Sequence, residues 1–558
     1  MVLKGATILL ECLLEQGVDT VFGYPGGAVL NIYDALYDYR DKITHILTSH
    51  EQGACHAADG YSRSTGKTGV VIATSGPGAT NLVTGIATAY MDSIPLVAIT
   101  GNVNTDLLGL DSFQEVDITG ITMPITKHNY IVKDVTKLAD VIREAFYIAN
   151  EGRKGPVLID IPKDITAAEC DFVNKKLKNN TFSVCDNEVN NALEIIAEAK
   201  KPFIYAGGGV VSANATEQLK EFAELIDAPV ALTLMGQCAF DNSNERYIGM
   251  MGMHGTKTSS LALEECDVFI VLGSRFSDRV TCNTGSFRSV LNNAKIVHIE
   301  ADPAEINKNV SVDARITGDV GSALEILNRK LSKKVNSEWM EKIKLWKNQY
   351  PLMQYSSDEN AVLPQYVLET LNELTDGKAI LSTEVGQHQM WTAEFYNFRN
   401  PRSFASSGGL GTMGYGLGAA IGCKIGNPDK TVVNVAGDGS FYMNMNELTT
   451  LAKYQIPVIE LLFNNSVLGM VRQWQKLFYN NRYSETNLQK NTDFEMLAEA
   501  IGIEGMTISK KSDVRPVLEK AIMLNKPVMI NCIIDKDINV LPMVPAGASI
   551  VNPILEIE

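Results

Sequence analysis

Eight short runs of apolar, largely β-branched residues recur along this chain without the polar alternation of a half-exposed strand. They are Thr68–Ala73, Pro95–Thr100, Pro156–Ile161, Pro202–Tyr205, Val268–Leu272, Ile296–Ile299, Thr431–Val435 and Pro457–Phe463. Gly, Pro, Asp or Asn bounds each run, and longer helical stretches separate them. Strands buried on both faces read this way, and they occur where helices cover both sides of a parallel sheet. The expected class is therefore α/β, doubly wound. Two polar stretches divide the chain: Asn174–Asn191 reads as a linker, and Leu331–Asn360 as a solvated helix and connector. With roughly 150 residues per domain as a prior, three parallel-sheet domains are expected, over 1–175, 190–335 and 360–558.

Charge and composition exclude several classes. Against 49 Lys and Arg stand 65 Asp and Glu, a net charge of −16. A protein that must neutralise a phosphate backbone needs the opposite sign, so nucleic acid is not an expected partner. The apolar stretch near Met1 is broken by Glu11 and Glu15 and reads as an amphipathic helix with Ile8, Leu9, Cys12 and Leu13 on one face, not as a secretory signal. No run approaches the ~18 apolar residues of a membrane span. Nine cysteines are scattered without a C-x-x-C pair, which fits buried thiols in a reducing compartment. The expected location is the cytoplasm, or an organelle stroma after transit-peptide removal.

The segment "TVVNVAGDGSFYMNMNELTTLAKYQIPVIELLFNNSV", Thr431 to Val467, carries the sharpest chemistry. A strand ends at Gly437-Asp438-Gly439, a helix covers about Met445–Tyr454, and a second strand ends at Asn464-Asn465. A right-handed crossover makes the two strands parallel, so Asp438 and Asn465 leave the sheet side by side at its carboxyl edge, where open α/β sheets bind ligands. Mg²⁺ takes one or two protein oxygens and completes its octahedron with phosphate and water. A carboxylate at Asp438, an amide oxygen at Asn465 and the carbonyl of Val467 suit that need. Gly437 and Gly439 let the chain turn beside the ligand. A lone GDG is more often a plain strand-to-helix turn; the β-helix-β spacing and the terminal Asn-Asn give it meaning.

With these residues the chain resembles the thiamine-diphosphate enzymes, whose cofactor motif is GDG followed some thirty residues later by NN. The resemblance implies Mg²⁺ on Asp438, Asn465 and Val467, and diphosphate contacts at Gly437, Gly439 and Ser440. "EVGQHQMW" and "SSGGLGTMG" look like further cofactor loops. Gln387 and His388 would then reach the diphosphate end, and Gly411 and Met413 the aminopyrimidine. Glu51, opening a helix after the strand Ile43–Leu47, would be the carboxyl that activates the pyrimidine, and Gly76 and Asn81 would bind the same cofactor. The family joins the first third of one subunit to the last third of another, which implies a homodimer at least, or a homotetramer.

Within that family, "VFGYPGGAVLNIYDAL", "SGPGATNLVTGIATAYMDSIPLVAITG", "DSFQE", "GPVLIDIPKDI", "LGMVRQWQKLFY" and "VLPMVPAGA" resemble, in order along the whole chain, acetohydroxyacid synthases. The resemblance implies decarboxylation of pyruvate and ligation of the remaining two-carbon unit to pyruvate or 2-oxobutanoate. The products are 2-acetolactate and 2-aceto-2-hydroxybutanoate, which open branched-chain amino-acid synthesis. Gly27 would place a backbone amide near the reacting carbon. Phe113, Gln114 and Lys163 would line the approach from the partner subunit. Arg279 would attract the 2-oxo acid carboxylate, and Trp474 with Met470 would shape the acceptor pocket. A separate small regulatory subunit is a possible partner. Plant members carry Pro and Arg where this chain has Asn104 and Asp106, and Ala546 replaces a Ser, so inhibitor sensitivity does not carry over.

The middle third resembles the FAD-binding segments of the same enzymes. The implied contacts are Arg153, Gly207, Gly208, Gly209, Thr233, Leu234, Met253, His254, Gly273, Arg275, Asp278, Glu300 and Asp319. Its glycine run is not G-x-G-x-x-G and is weak by itself. Two other enzymes stay open as alternatives: a catabolic acetolactate synthase, which lacks FAD, and an FAD-dependent pyruvate oxidase.

Overall fold

The computed structural model describes residues 1–175, 184–354, 356–488 and 492–557. Among these, three six-stranded sheets are parallel throughout. The first runs, edge to edge, Thr44–Leu47, Thr20–Gly23, Gly69–Ala73, Leu96–Asn102, Pro156–Pro162, His128–Ile131. The last runs Phe404–Ser406, Ile380–Thr383, Val432–Gly437, Val458–Asn464, Val528–Ile533, Glu504–Ile508. Numbered by appearance in each domain, both have the order 2-1-3-4-6-5. The middle sheet runs Tyr247–Met250, Val230–Leu232, Pro202–Ala206, Val268–Leu272, Lys295–Glu300, Ala314–Thr317. Its order is 3-2-1-4-5-6, that of dinucleotide-binding sheets. A short antiparallel pair, Val2–Lys4 with Glu169–Asp171, ties the start of the first domain to its end.

Two apolar runs hide a polar pair. Asn434 and Glu460 face each other in register inside the last sheet, and the Asn434 amide donates to both Glu460 oxygens at 3.1 and 2.8 Å. Burial pushes the Glu460 carboxyl well above its ordinary range. Thr100 and Asp160 repeat the device in the first sheet, with the hydroxyl donating at 2.7 Å. A buried polar side chain is tolerated in a sheet interior when its neighbour completes the hydrogen bond.

The connector expected to be solvated is not. Helix Ser337–Gln349 buries Trp339, Ile343 and Trp346, and the Trp339 indole donates to the Pro202 carbonyl at 3.0 Å. The spacing i, i+4, i+7 makes one apolar stripe, which its Lys-rich composition masked. Of the expected linker, residues 176–183 lie outside the described ones, and its last part already belongs to helix Asp186–Glu198.

The first and last domains meet along two helices, Glu51–Thr65 and Gly416–Gly426. Both are buried along almost their whole length. The contact is made by backbone: a Cβ at Gly60 would stand 2.2 Å from the Ala419 carbonyl oxygen, and one at Gly422 only 1.8 Å from that of Ala57. Only residues without a side chain allow helices this close. Gly422→Ala should force them apart, at about 1–3 kcal/mol for overpacking, read as a lower urea midpoint with an unchanged slope.

Candidate functional site

Each sheet turns its winding direction between two neighbouring strands, and at that point the loops above the carboxyl edge splay apart. In the last domain the switch lies between Ile380–Thr383 and Val432–Gly437. A cleft opens there, lined by Gln387, His388, Met413, Gly437, Asp438, Gly439, Ser440, Asn465, Val467 and Met470, among others. Gly437 pairs with Phe463, so Asp438 and Asn465 leave adjacent strands within two residues of each other. A Cβ on Gly437 would lie 2.7 Å from the His388 ring, which explains glycine before the aspartate. Gly411 lies in the loop leading to Met413 but not in the cleft lining.

The polar atoms of this cleft are short of partners. His388 Nε2 and Gln387 Oε1 are buried without a hydrogen bond. Burial drives the His388 imidazole down to about 3, so it stands neutral. Burial pushes the Asp438 carboxyl up to about 6, against backbone N–H groups at Asp438, Gly439, Asn465 and Ser466. Among the described residues no three His, Cys, Asp or Glu side chains converge on a metal. One carboxylate with amide and carbonyl oxygens is instead a partial shell for a hard cation whose other ligands are phosphate and water. Unpartnered polar atoms and a partial oxygen shell fit a hydrated magnesium diphosphate.

Two residues at this cleft escaped the sequence reading. Gln473, buried in helix Gly469–Phe478, accepts from Gln387 Nε2 at 3.0 Å and from the Val540 amide at 2.9 Å, fixing the Gln387 side chain. Glu384, one residue past its strand, accepts from the amides of Gly414 at 2.6 Å, Gly416 at 2.8 Å and Leu417 at 3.2 Å. It thereby anchors the loop carrying Met413. A carboxylate at the carboxyl end of a strand is the signal that could have found it.

A second constellation stands on the carboxyl edge of the first sheet. Glu51 opens its helix behind the His50 cap and accepts from Asn81 Nδ2 at 2.9 Å. A Cβ on Gly76 would meet Gln114 at 2.9 Å, so these two touch. Gly27 starts a turn after Thr20–Gly23, and Lys163 starts a helix after Pro156–Pro162. Phe113 is 87% exposed. No residue of this group lines the diphosphate-side cleft; within one chain the two constellations remain apart.

The middle sheet carries a larger cavity, about 500 Å³, at the switch between Pro202–Ala206 and Val268–Leu272. Gly207, Gly208, Gly209, Thr233, Gly273, Arg275, Glu300 and Asp319 line it, and Arg153 joins them from the first domain. Burial raises the Glu300 carboxyl above its ordinary range. Leu234, Met253, His254 and Asp278 do not line it. Met253 and His254 lie under the last segment of the chain, where the Met253 carbonyl accepts from the Val544 amide at 2.7 Å and His254 Nδ1 sits 3.3 Å from the Pro542 carbonyl. Arg279 reaches the Met253 sulfur at 3.1 Å, and Trp474 packs on the same cluster. Volume, glycine-lined strand ends, terminal carboxylates and strand order together suit an extended dinucleotide.

Comparison with known proteins agrees with this geometry. Three family models match in sequence: the thiamine pyrophosphate enzyme N-terminal binding domain over residues 3–121, the central domain over 189–327 and the C-terminal binding domain over 384–532. The chain is 45% identical over 570 residues to a probable acetolactate synthase large subunit of Methanocaldococcus jannaschii, covering 99% of this chain and 95% of the relative. It is 47% identical over 562 residues to the acetolactate synthase large subunit of Corynebacterium glutamicum, covering 98% and 89%. To that of Mycobacterium tuberculosis it is 47% identical over 564 residues, covering 98% and 90%.

The Glu384 anchor can be tested on stability. Glu384→Gln turns one acceptor oxygen into a donor facing backbone N–H, an expected cost of about 1–3 kcal/mol. Burial raises the carboxyl from 4.5 to about 7. A folded state that holds its proton longer than the unfolded one loses stability as pH rises between those two values. The gap between wild type and variant should therefore narrow from pH 5 to pH 7.5 in urea titrations.

Proposed function

Because the chain belongs to the thiamine pyrophosphate enzymes, and within them to the acetolactate synthase large subunits, we propose that it joins pyruvate, after loss of CO2, to a second 2-oxo acid. With pyruvate as acceptor the product is 2-acetolactate; with 2-oxobutanoate it is 2-aceto-2-hydroxybutanoate. The single observation that carries this reading is the diphosphate-side cleft, with Asp438 and Asn465 on neighbouring strands and the unpartnered His388 and Gln387 atoms beside them.

Thiamine diphosphate, when bound, supplies a thiazolium carbon nucleophile that stores the electrons released as CO2 leaves. Asp438, Asn465 and the Val467 carbonyl would hold Mg²⁺, and His388 and Gln387 would flank the diphosphate. Met413 supports the aminopyrimidine. Glu51, held in place by Asn81, would present its carboxyl to the pyrimidine ring nitrogen. Gly27 and Gln114 orient the reacting carbonyl, and Lys163 and Arg279 draw in carboxylates. Trp474 and Met470 make room for the acceptor's ethyl group, each buried methylene favouring 2-oxobutanoate by roughly 1 kcal/mol. The middle cavity holds FAD.

Glu51 and Asp438 stand on different sheet edges, so a complete site needs a second copy of the chain. Exposed Leu110, Phe113 and Met123 on one side, and Leu410 and Met443 on the other, supply apolar surface for such a homodimer, or for a homotetramer. The relatives are named large subunits, and a separate small regulatory subunit is proposed as a further partner. No helix among the described residues is long and apolar enough to cross a membrane. All nine cysteines are free, seven of them buried, in keeping with a reducing cytoplasm.

The test is a product assay with thiamine diphosphate, Mg²⁺, FAD and pyruvate, with and without 2-oxobutanoate. Acetohydroxybutyrate should dominate when both acids are present. Acetate with flavin bleaching would refute carboligation. Glu51→Gln should lower turnover by about 10²–10⁴ while leaving flavin retention unchanged.

A further inference from the structure

One buried ion cluster lies between the middle cavity and the loop Ser406–Tyr415. Arg63, near the end of helix Glu51–Thr65, donates through Nε to Asp59 at 2.6 Å, through Nη2 to Asp92 at 2.8 Å, and through Nη1 to the Ser406 carbonyl at 2.9 Å. Asp92 accepts from the Gly409 amide at 2.7 Å and the Gly408 amide at 3.2 Å. Asp59 accepts from the Tyr415 hydroxyl at 2.6 Å. The Arg63 guanidinium also lies over the Tyr415 ring, 5.4 Å from its centre. The side chains of Arg63, Asp59 and Asp92 are at most 5% exposed.

The charge balance explains why the loop is gripped at both ends. Two carboxylates face the Arg63 guanidinium, with Arg275 of the cavity wall acting on Asp92 from farther off, so the buried negative charge is only partly balanced. Polar donors must meet it, and they come from the loop: Gly408 and Gly409 at its start, Tyr415 at its end. Gly411 and Met413 lie between. On its other face the cluster is cavity wall, since Arg63, Asp92, Met91 and Ser93 line the middle cavity. Arg153 binds the Ser93 hydroxyl at 2.8 Å in the same wall. Thr88, in the helix that ends at Asp92, adds a hydroxyl contact to Thr412 at 2.7 Å.

We propose that Asp59, Arg63 and Asp92 form a positioning cluster through which filling of the middle cavity and filling of the thiamine site reinforce each other. The inference rests on the functional reading above, which puts a flavin dinucleotide in the cavity and an aminopyrimidine on the loop. A dinucleotide lying on the wall packs against Met91, Asp92 and Ser93 and restrains the helix end that carries Asp92, and with it the cluster. A tighter cluster narrows the conformations open to the loop. By linkage the effect is reciprocal: a loop ordered by its ligand fixes Asp92 and Arg63, and so the wall.

The experiment uses full-length protein stripped of both cofactors. FAD is titrated by flavin fluorescence with and without saturating thiamine diphosphate and Mg²⁺, and thiamine diphosphate is titrated calorimetrically with and without FAD. Each ligand should tighten the other by the same factor, roughly fivefold or more. Tyr415→Phe removes one donor at the far end of the loop without touching the cavity wall. It should bring the factor toward one while FAD affinity alone is unchanged. Arg63→Lys keeps the charge without the forked geometry and should lower the factor too. Arg63→Met, which strands two buried carboxylates, is expected to fold poorly and is not needed. A factor of one in the wild type, with both ligands bound, overturns the coupling alone. A factor unmoved by both variants overturns the role of the cluster. Failure of thiamine diphosphate to bind at all overturns the functional reading and the coupling together.

Discussion

Helix Glu51–Thr65 is buried from its first residue almost to its last, yet it carries Glu51, His56, Asp59 and Arg63. A helix so polar survives burial when its charged groups find fixed partners, while burial keeps His56, whose Nδ1 has none, neutral. Asn81 meets Glu51, while Asp92, Tyr415 and the Ser406 carbonyl satisfy the Arg63 and Asp59 cluster. Tyr415 and Ser406 can be reached because Gly60 and Gly422 let the neighbouring helix approach to backbone contact. The position of Glu51 at one end, of the loop with Met413 at the other, and of the cavity wall beside it all depend on this one packing.

The three sheets divide the work by strand order. The first and last share an order, and both gather chemistry-bearing residues above the carboxyl edge. The first carries the Glu51 carboxyl held by Asn81; the last carries the oxygens of Asp438 and Asn465 beside the unpartnered polar atoms of Gln387 and His388. The middle sheet has a different order and a larger cavity; its domain meets the first through the Arg153–Glu305 ion pair and the last through the bond from the Val544 amide to the Met253 carbonyl.

Much of this was legible in the sequence because strand ends are marked by residue type. The runs at Val268–Leu272 and Thr431–Val435, the GDG turn and the Asn-Asn pair each signal a strand end locally, and the strands stand where the runs lie. What stayed hidden depends on partners far along the chain. Glu460 and Asn434 read as flaws in apolar runs until register sets them face to face. Glu384 reads as an ordinary charge, because its three amide partners lie some thirty residues on. The polar connector concealed three buried side chains at helical spacing. Met253 and His254 sit near the expected dinucleotide segments in sequence, yet their backbone is engaged by the last segment of the chain.

The bond from Arg63 to the Ser406 carbonyl spans 343 residues. A ribosome adding about 5–20 residues per second needs roughly 20–70 s to cover that distance. For that interval the first sheet can form while its central helix has no second helix to pack against, and Gly53, Gly60 and Ala57 present bare backbone. The nascent first domain is thus a partly open body whose helix Glu51–Thr65 is covered only when the last domain emerges. Folding of the chain's beginning is in this sense completed by its end, and a pause in translation between the two would lengthen the exposure of the surface that most needs covering.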